Sequence, residues 1–347
     1  MSQKLKIFFI SNLGYGSSGL QRKTALQDLG HVITPFDWAV YAKGGSKITR
    51  SLRGRTAMGK AIRSLNADLV AFARQHRYDL VWIEKGIWFY PETVASLRGT
   101  GNAILLHYTP DPAITYHKTR HFIRSIPVYD VMVTTKRYEL DKYRQHGAKH
   151  LILIGQAFDS TIHKTYTHSP EELANYQSDV CFIGHCEKHY LDLARAVACA
   201  ANGLSIWGGP WERKIIFRPW LKRVYRGDNL WGNDYGKALS AAKIGLCFLT
   251  KLALETSTSR SIEIPACGTL LLAERTDEHL ELFEEGKEAE FFDGKTELCE
   301  KIEYYLQHSD ERERIAAAGR KRCQTSNYSN QGRLSSILNQ VASLGLR

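Results

Sequence analysis

Short apolar runs alternate with amphipathic stretches along the whole chain. In the first half the runs are "LKIFFI", "HVITPF", "YDLVWIE", "NAILLHY", "YDVMVTT" and "HLILIG". Runs this short, rich in β-branched and aromatic residues, predict strands. Helical patterns lie between them, over 18–29, roughly 56–76, 91–98, 114–125 and 136–146. Strands parted by helices imply a parallel sheet wound on both faces. The segment 156–178 is polar, holds no strand pattern and reads as an interdomain linker. The second half then repeats the programme: "SDVCFIG", a helix over 188–202, "LSIWGG", a short helix "YGKALSAA" and the strand "KIGLCFLT". Next come "SRSIEIPACG", a helix ended by Gly268, the strand "TLLLAE", the helix "DEHLELF" and the short strand "EAEFF". Three helices close the chain over 294–307, 309–323 and about 331–344.

The expected class is therefore α/β: two Rossmann-like domains with parallel sheets and a helical tail. Residues 1–160 form the first domain and 176–330 the second, and the tail 331–347 packs back on the first. Two such halves joined by one linker predict a cleft, and ligands of open α/β sheets sit beyond the carboxyl ends of the strands. A length of 347 residues suits two domains with separate cores. No apolar run reaches the length needed to cross a bilayer. The start "MSQKLKIFFIS" reads as a first strand, since no small-residue cleavage site follows it. Seven cysteines, all in the second half and without a CxxC pair, read as reduced core thiols of a cytosolic protein. Lys and Arg number 47 against 36 Asp and Glu, a net charge of +11 that favours anionic partners. The densest basic clusters are "RSLRGR" and "RKR".

The stretch "NLGYGSSG" after the first strand contains Gly14, Gly16 and Gly19, a GxGxxG. Asp37, after the second apolar run, stands where a dinucleotide site keeps its ribose acid. However, Ser11, Asn12 and Leu13 lie between the strand and Gly14, which makes the loop longer than that fingerprint. Two further uses stay open: backbone amides approaching an acceptor or phosphate, and a plain glycine-rich turn.

The second half carries the sharper signal. In "LETSTSRSIEIPACG", Glu255 and Glu263 stand eight positions apart, with four N-cap residue types, Thr256, Ser257, Thr258 and Ser259, between them. This places Glu255 in a loop and Glu263 one turn inside a helix whose start suits a diphosphate. Arg260 in the first turn opposes its own helix dipole, which an anion docked nearby explains. A half-buried Glu263 carries two oxygens suited to a vicinal ribose diol.

These motifs bring a family into view. "RSIEIPACGTLLLAERTDEHLELFEEGKEAEFF" with "YYLQHSDERERIAAAGRKR" resembles the C-terminal region of group 1 glycosyltransferases, specifically the CgeB-like branch. "LGYGSSGLQRKTALQDLGHVITPFD", "HYTPDP", "RSIPVYDVMVTTKRYELDKYRQHGAKHLILI" and "GNDYGKALSAAKIGLCFL" are similar to that branch in the same order. The resemblance implies a GT-B fold, an acceptor domain followed by a nucleotide-sugar domain, and catalysis without a metal. It also implies that Glu263 binds ribose hydroxyls and that Glu255 lies near the donor sugar.

Glycosyl transfer builds negative charge on a leaving nucleoside diphosphate, which cations and helix amides must stabilise in the absence of a metal. Arg260, Lys251, Lys188 and the amides of Ser257, Thr258 and Ser259 are the candidates. Gly184 and His185 belong to the donor side, as do Gly208, which allows close backbone approach, and Trp211, which packs on the base or caps the core. Asp111 of "HYTPDP" is the first choice for a base, alongside a turn-forming role before Pro112; Glu84 and His107 are alternatives. Gly14, Tyr15, Gly16 and Ser17 complete the acceptor side. The pairs His117/His121 and His185/His189 lack the further ligands a metal site needs, so no metal and no cofactor beyond the donor is expected. The reading is a cytoplasmic glycosyltransferase whose hydroxyl acceptor is a glycan, a lipid-linked sugar, a protein or a small molecule, with peripheral contact to an anionic inner-membrane face. The competing enzyme class is an NAD(P)-dependent oxidoreductase using "GYGSSG" and Asp37. A basic nucleic-acid-binding module is disfavoured, because basic and aromatic residues are not interleaved on one strand.

Overall fold

The computed structural model describes residues 4–43, 56–99, 102–201 and 203–346. The cluster "RSLRGR" lies outside the described residues. The chain divides into two compact units, Met1–Gly155 with Asn330–Arg347, and Gln156–Ser329.

The first unit is built on β1 (Lys6–Ser11), β2 (Val32–Asp37), β3 (Leu80–Glu84), β4 (Ile104–Thr109), β5 (Val131–Thr134) and β6 (His150–Leu153). Their order is β2-β1-β3-β4-β5-β6, and every pairing is parallel. Alternate residues face opposite layers, as the two-residue period of a strand requires. Phe8, Ile10, Val81 and Ile83 pack with Leu65 and Leu69 of the helix Lys60–Ala73. Ile7, Phe9, Leu80 and Trp82 pack with Leu26 of the helix Ser18–Asp28. The last helix, Asn330–Ser343, joins that second layer through Leu334, Ile337, Leu338 and Val341.

The second unit holds β7 (Ser178–Ile183), β8 (Leu204–Trp207), β9 (Tyr225–Gly227), β10 (Ala242–Cys247), β11 (Leu270–Glu274) and β12 (Glu290–Phe292). The order is β12-β11-β10-β7-β8-β9, again parallel. One face carries the helices Lys188–Ala200 and Lys295–Gln307, through Leu193, Val197, Leu298 and Ile302. The other carries Asn233–Ser240, Arg260–Ala266 and part of Ser309–Thr325, through Leu239, Ile262, Ile264 and Cys323. A Cβ on Gly245 of β10 would meet Ile264 at 2.5 Å, so this glycine lets the helix Arg260–Ala266 lie close on the sheet.

Three segments differ from the sequence reading. Residues 156–178 are not an unstructured linker: they belong to the second unit and contain the helix Pro170–Tyr176. Ser169 and Glu172 form its capping box, a signal legible in "SPEE". The helix expected over 114–125 spans only Arg120–Ser125, because the residues before it form a pinned loop described below. Between β8 and β10 the sequence reading placed only the short helix "YGKALSAA", yet one-turn helices form at Glu212–Ile215 and Leu221–Val224 and lead into edge strand β9. Pro219 interrupts the apolar pattern there, leaving each piece too short to show a period.

Both sheets reverse their winding once, at β1/β3 in the first and at β7/β10 in the second. The space beyond the carboxyl ends of such strand pairs is where open α/β sheets hold ligands.

Because Ile337 is fully buried in the layer shared with Phe9 and Trp82, Ile337→Ala is expected to destabilise the first unit by about 2–5 kcal/mol. Urea denaturation followed by circular dichroism measures this; an unchanged midpoint would contradict the docking of the last helix.

Candidate functional site

At the β7/β10 switch the carboxyl end of β7 runs into Gly184, and that of β10 into Phe248 and Leu249. Phe182, Tyr190, Trp211 and Phe248 form an aromatic floor beneath them, with Phe182 and Phe248 stacked at 4.8 Å. The guanidinium of Arg260 lies over the Phe182 ring, 5.6 Å from its centroid. One terminal nitrogen donates to the Phe248 carbonyl at 2.9 Å, while the buried Nε has no protein partner. Burial opposes the charge, nearby groups including Cys247, Tyr190, Tyr235 and Glu255 favour it, and the net shift is upward, so Arg260 stays cationic. A Cβ on Gly184 would come within 3.2 Å of this guanidinium, so the absence of a side chain keeps the space above the arginine open. Gly208 takes φ +129°, and a Cβ there would meet the Gly184 carbonyl at 2.2 Å. Only glycine permits that backbone approach.

Glu263 follows one turn after Arg260 on the same helix face. Its Oε2 accepts from the Tyr235 hydroxyl at 2.6 Å. Burial, then the charge and hydrogen bond of Glu263, push the Tyr235 phenol far up, so it remains a donor. Its other oxygen lies 3.8 Å from Nε2 of buried His163. Nδ1 of His163 accepts the Asp159 N–H at 2.9 Å, and burial lowers the pKa of the ring. The proton of the neutral ring therefore resides on Nε2, facing Glu263. Tyr235 and His163 were not singled out by the sequence, because they lie 28 and 100 residues from Glu263 and only the fold brings them to it.

The remaining donor-side candidates divide. Glu255 is half-buried in the loop before the helix, its N–H donating to the Thr250 carbonyl at 3.2 Å. Thr258 and Ser259 are half-buried, and Ser259 caps the helix without a side-chain bond. His185 is exposed, and Lys188 is the exposed first residue of the helix Lys188–Ala200, which also lacks a side-chain cap. Three expectations need correction. Trp211 is fully buried and its indole N–H donates to the Gly184 carbonyl at 2.9 Å, so it caps the core and offers no face to a base. The Thr258 amide, one of those expected at a diphosphate, instead donates to the Ser261 hydroxyl at 3.1 Å, while the side chains of Ser257 and Thr256 donate to the Glu278 carboxylate. Lys251 is not a free cation, since it pairs with Glu274. Beneath this loop, Ser261 and His279 share a buried hydrogen bond of 2.7 Å, and the other ring nitrogen of His279 meets the Glu274 carbonyl at 2.7 Å. That network fixes the start of the helix Arg260–Ala266.

The β1/β3 switch is filled differently. Glu84 is buried and accepts from Arg22 Nε at 2.6 Å, from another Arg22 nitrogen at 2.8 Å and from the Ser11 hydroxyl at 2.6 Å. It is therefore a structural partner and not an open acceptor contact. A Cβ on Gly19 would meet Ser11 Oγ at 2.0 Å, so the third glycine of GxGxxG serves helix-to-strand packing. Gly14 donates to the Asn12 side chain, Gly16 takes φ +75° and Ser17 caps the helix Ser18–Asp28. Tyr15 projects from this turn with 79 % exposure. Asp37 accepts from Leu13 and Ala39 backbone amides at one oxygen and caps a local turn, a structural use for the acid that the oxidoreductase reading required.

After β3, Lys85 and Gly86 both take positive φ, +64° and +54°. The Lys85 ammonium pairs with Asp111 at 2.6 Å. Burial raises the Asp111 pKa, but Lys85 outweighs it through charge and hydrogen bond, and the carboxyl ends below its ordinary range. The loop carrying Asp111 is pinned by buried Glu139, whose carboxylate accepts the amides of Ala113, Ile114 and Thr115 at 3.0, 3.1 and 2.7 Å. His107 is fully buried, and burial lowers its pKa to about 4. It is neutral near pH 7 and lies within 2.9 Å of the Lys85 carbonyl, which sets it beneath this site as a support rather than a base. His117 stands near Asp111, whereas His121 packs on Tyr90 and His189 faces Glu274 at 3.4 Å. Among the described residues no group of three or more His, Cys, Asp or Glu gathers as metal ligands. No helix among them is long and apolar enough to cross a membrane.

Residues 191–339, which include Arg260 and Glu263, match the family model described as glycosyl transferase-like. No curated protein matches the chain. Among solved structures, the Anabaena protein HepE in complex with UDP-glucose is similar at 15% identity and a TM-score of 0.67, over 98% of this chain and 100% of that one. Sucrose-phosphate synthase from Thermosynechococcus elongatus is similar at 13% identity and a TM-score of 0.66, over 99% and 98%. An alpha-glucosyltransferase in complex with UDP-glucose and DNA is similar at 12% identity and a TM-score of 0.66, over 98% and 100%. The fold is thus the GT-B fold, as the resemblance implied.

The buried neutral His107 has a folded-state pKa of about 4, below its ordinary value of 6.5. Between these values the unfolded chain binds a proton that the folded chain does not, so stability falls as pH drops through that window. His107→Gln is expected to show a smaller loss between pH 6.5 and 4 in urea denaturation; identical pH profiles would contradict the burial of a neutral ring.

Proposed function

We propose that the chain is a glycosyltransferase moving a sugar from a nucleoside-diphosphate sugar to a hydroxyl acceptor. The family match, the GT-B fold and the chemistry of the β7/β10 switch support this reading. The observation that carries it is Arg260, a half-buried arginine whose enclosed Nε has no protein partner, one helical turn from Glu263. A cation so placed matches the charge that develops on a leaving diphosphate. The first-turn amides of the helix Lys188–Ala200 and the Lys188 ammonium add to it, and the reaction is proposed to need no metal. Glu263, oriented by Tyr235, takes the ribose diol, and Glu255 lies towards the donor sugar. Solved relatives contain UDP-glucose or UDP, so a uridine donor is the first to test.

The second unit is the donor unit and the first takes the acceptor, with Asp111 as the base. We also place the chain in the CgeB-like branch, on the collinear motifs quoted above. The net charge of +11 supports an anionic or lipid-linked acceptor glycan and a cytoplasmic enzyme in peripheral contact with the inner membrane face.

UDP and UDP-glucose are expected to raise the melting temperature and NAD to leave it unchanged. Arg260→Ala is expected to lower kcat by roughly 100- to 1,000-fold, and Glu263→Ala to abolish turnover with the melting temperature of the free protein retained. Full activity in Glu263→Ala, or stabilisation by NAD alone, would refute the reading. Asp111→Asn is expected to lower transfer by roughly 100-fold or more while UDP binding by calorimetry is unchanged; equal transfer would remove Asp111 from the chemistry.

A further inference from the structure

Ile216 and Phe217 are each 80% exposed, the highest values of any large apolar side chains among the described residues. They are adjacent, at the tip of the segment between β8 and β9. Trp211, Leu221 and Val224 anchor this segment in the core on either side of the tip, with Ile215 and Trp220 partly buried against them. The tip itself is a tight turn: the Phe217 N–H donates to the Lys214 carbonyl at 3.2 Å and the Arg218 N–H to the Ile215 carbonyl at 3.1 Å. Its two apolar side chains are thus held outward by a fixed backbone.

The surrounding charge has one sign. Residues 211–226 contain six cations, Arg213, Lys214, Arg218, Lys222, Arg223 and Arg226, against one acid, Glu212. Of the six, only Arg213 makes an ion pair among the described residues, with Glu212 at 3.4 Å. Exposed apolar side chains ringed by basic residues fit a surface that offers hydrocarbon beneath anionic headgroups. A second copy of the segment would bring like charges together. A nucleic-acid strand would find a stacking face on Phe217 but none on Ile216.

We infer that the segment 211–226 docks the second unit onto an anionic lipid bilayer, with Ile216 and Phe217 inserted among the headgroups and the six cations facing lipid phosphate. The inference gives a location to the peripheral membrane contact proposed above and rests on that reading. Lys214 and Arg218 both act electrostatically on Cys186, two residues beyond Gly184. The docking surface therefore adjoins the proposed donor loop, which suits an acceptor presented from a membrane.

The test is co-sedimentation of the full chain with phosphatidylcholine vesicles, with and without phosphatidylglycerol, at low and raised salt. The wild type is expected to bind only the phosphatidylglycerol vesicles and to be released by salt. Ile216→Ser with Phe217→Ser, and separately Lys222→Glu with Arg223→Glu, are each expected to weaken binding roughly tenfold or more. Both double variants should keep the wild-type melting temperature and turnover on a soluble acceptor, since these side chains are exposed and lie outside the proposed donor site. If both variants bind vesicles as the wild type does, this surface is wrong while membrane contact stands. If the wild type binds no vesicles, both fall. Loss with the charge reversal but not with the serine pair would overturn insertion. Binding of a single-stranded oligonucleotide, lost in the same variants without vesicle binding, would reassign the surface to nucleic acid.

Discussion

Each sheet brings a guanidinium to its switch point, and what each guanidinium meets there separates the two units. Arg22 meets Glu84 in a two-point ion pair, with Ser11 adding a third hydrogen bond to the carboxylate. Charge and donors are matched, and the space is closed. Arg260 meets a carbonyl oxygen and an aromatic face, and makes no ion pair among the described residues. A half-buried cation with an enclosed, unpartnered Nε and no carboxylate is costly unless something else supplies the negative charge. Core packing does not require this placement, because the aromatic floor is complete without an arginine on it. A phosphate-bearing ligand, as proposed for this site, would resolve the imbalance, and a side chain at either Gly184 or Gly208 would crowd the guanidinium or the neighbouring backbone.

Much of this arrangement was legible in the sequence. The alternation of short apolar runs and helices gave both parallel sheets, and "SRSIE" placed Arg260 and Glu263 on one helical turn. What escaped notice has a common cause. Tyr235, His163, Glu274, Glu278 and His279 act through partners far along the chain. A single sequence offers no signal for a hydroxyl or carboxylate that becomes a partner only once two strands are paired. Lys251 departs from its reading for the same reason: as an isolated residue after a strand it looks free, and its carboxylate partner belongs to the next strand. Trp211 shows the converse case: the sequence leaves it between packing on a base and capping the core, and its burial and the indole bond to the Gly184 carbonyl decide for the core.

The glycine loop was the most conspicuous motif and one of the least informative. Its third glycine is needed by the packing of Ser18–Asp28 against Ser11, and its acid, Asp37, accepts two backbone amides at one carboxylate oxygen and caps a turn. Both features have a local structural use, so neither the third glycine nor Asp37 carries the dinucleotide reading.

The better signal in the first unit is strain combined with support. Lys85 holds a left-handed backbone that costs a residue with a side chain of the order of 1–3 kcal/mol. Three contacts hold it there: its N–H donates to the Tyr108 carbonyl at 3.0 Å, its carbonyl lies 2.9 Å from His107, and its ammonium pairs with Asp111. The opposite side of the pair is fixed as firmly, since Glu139 takes three successive amides of the Asp111 loop. A carboxylate buried completely and devoted to shaping a loop is an expensive way to make a turn. Such an arrangement is intelligible if the loop must hold the Asp111 carboxylate and the Lys85 ammonium in one geometry before any ligand arrives. The pairing also sets a chemical constraint. An aspartate held ionised by an adjacent lysine is a weak base, and it gains basicity only as that lysine is drawn off. An incoming anionic acceptor is the kind of group that would compete for Lys85, so under the base role proposed for Asp111 the ion pair that quiets it in the free protein would couple its activation to the arrival of charge.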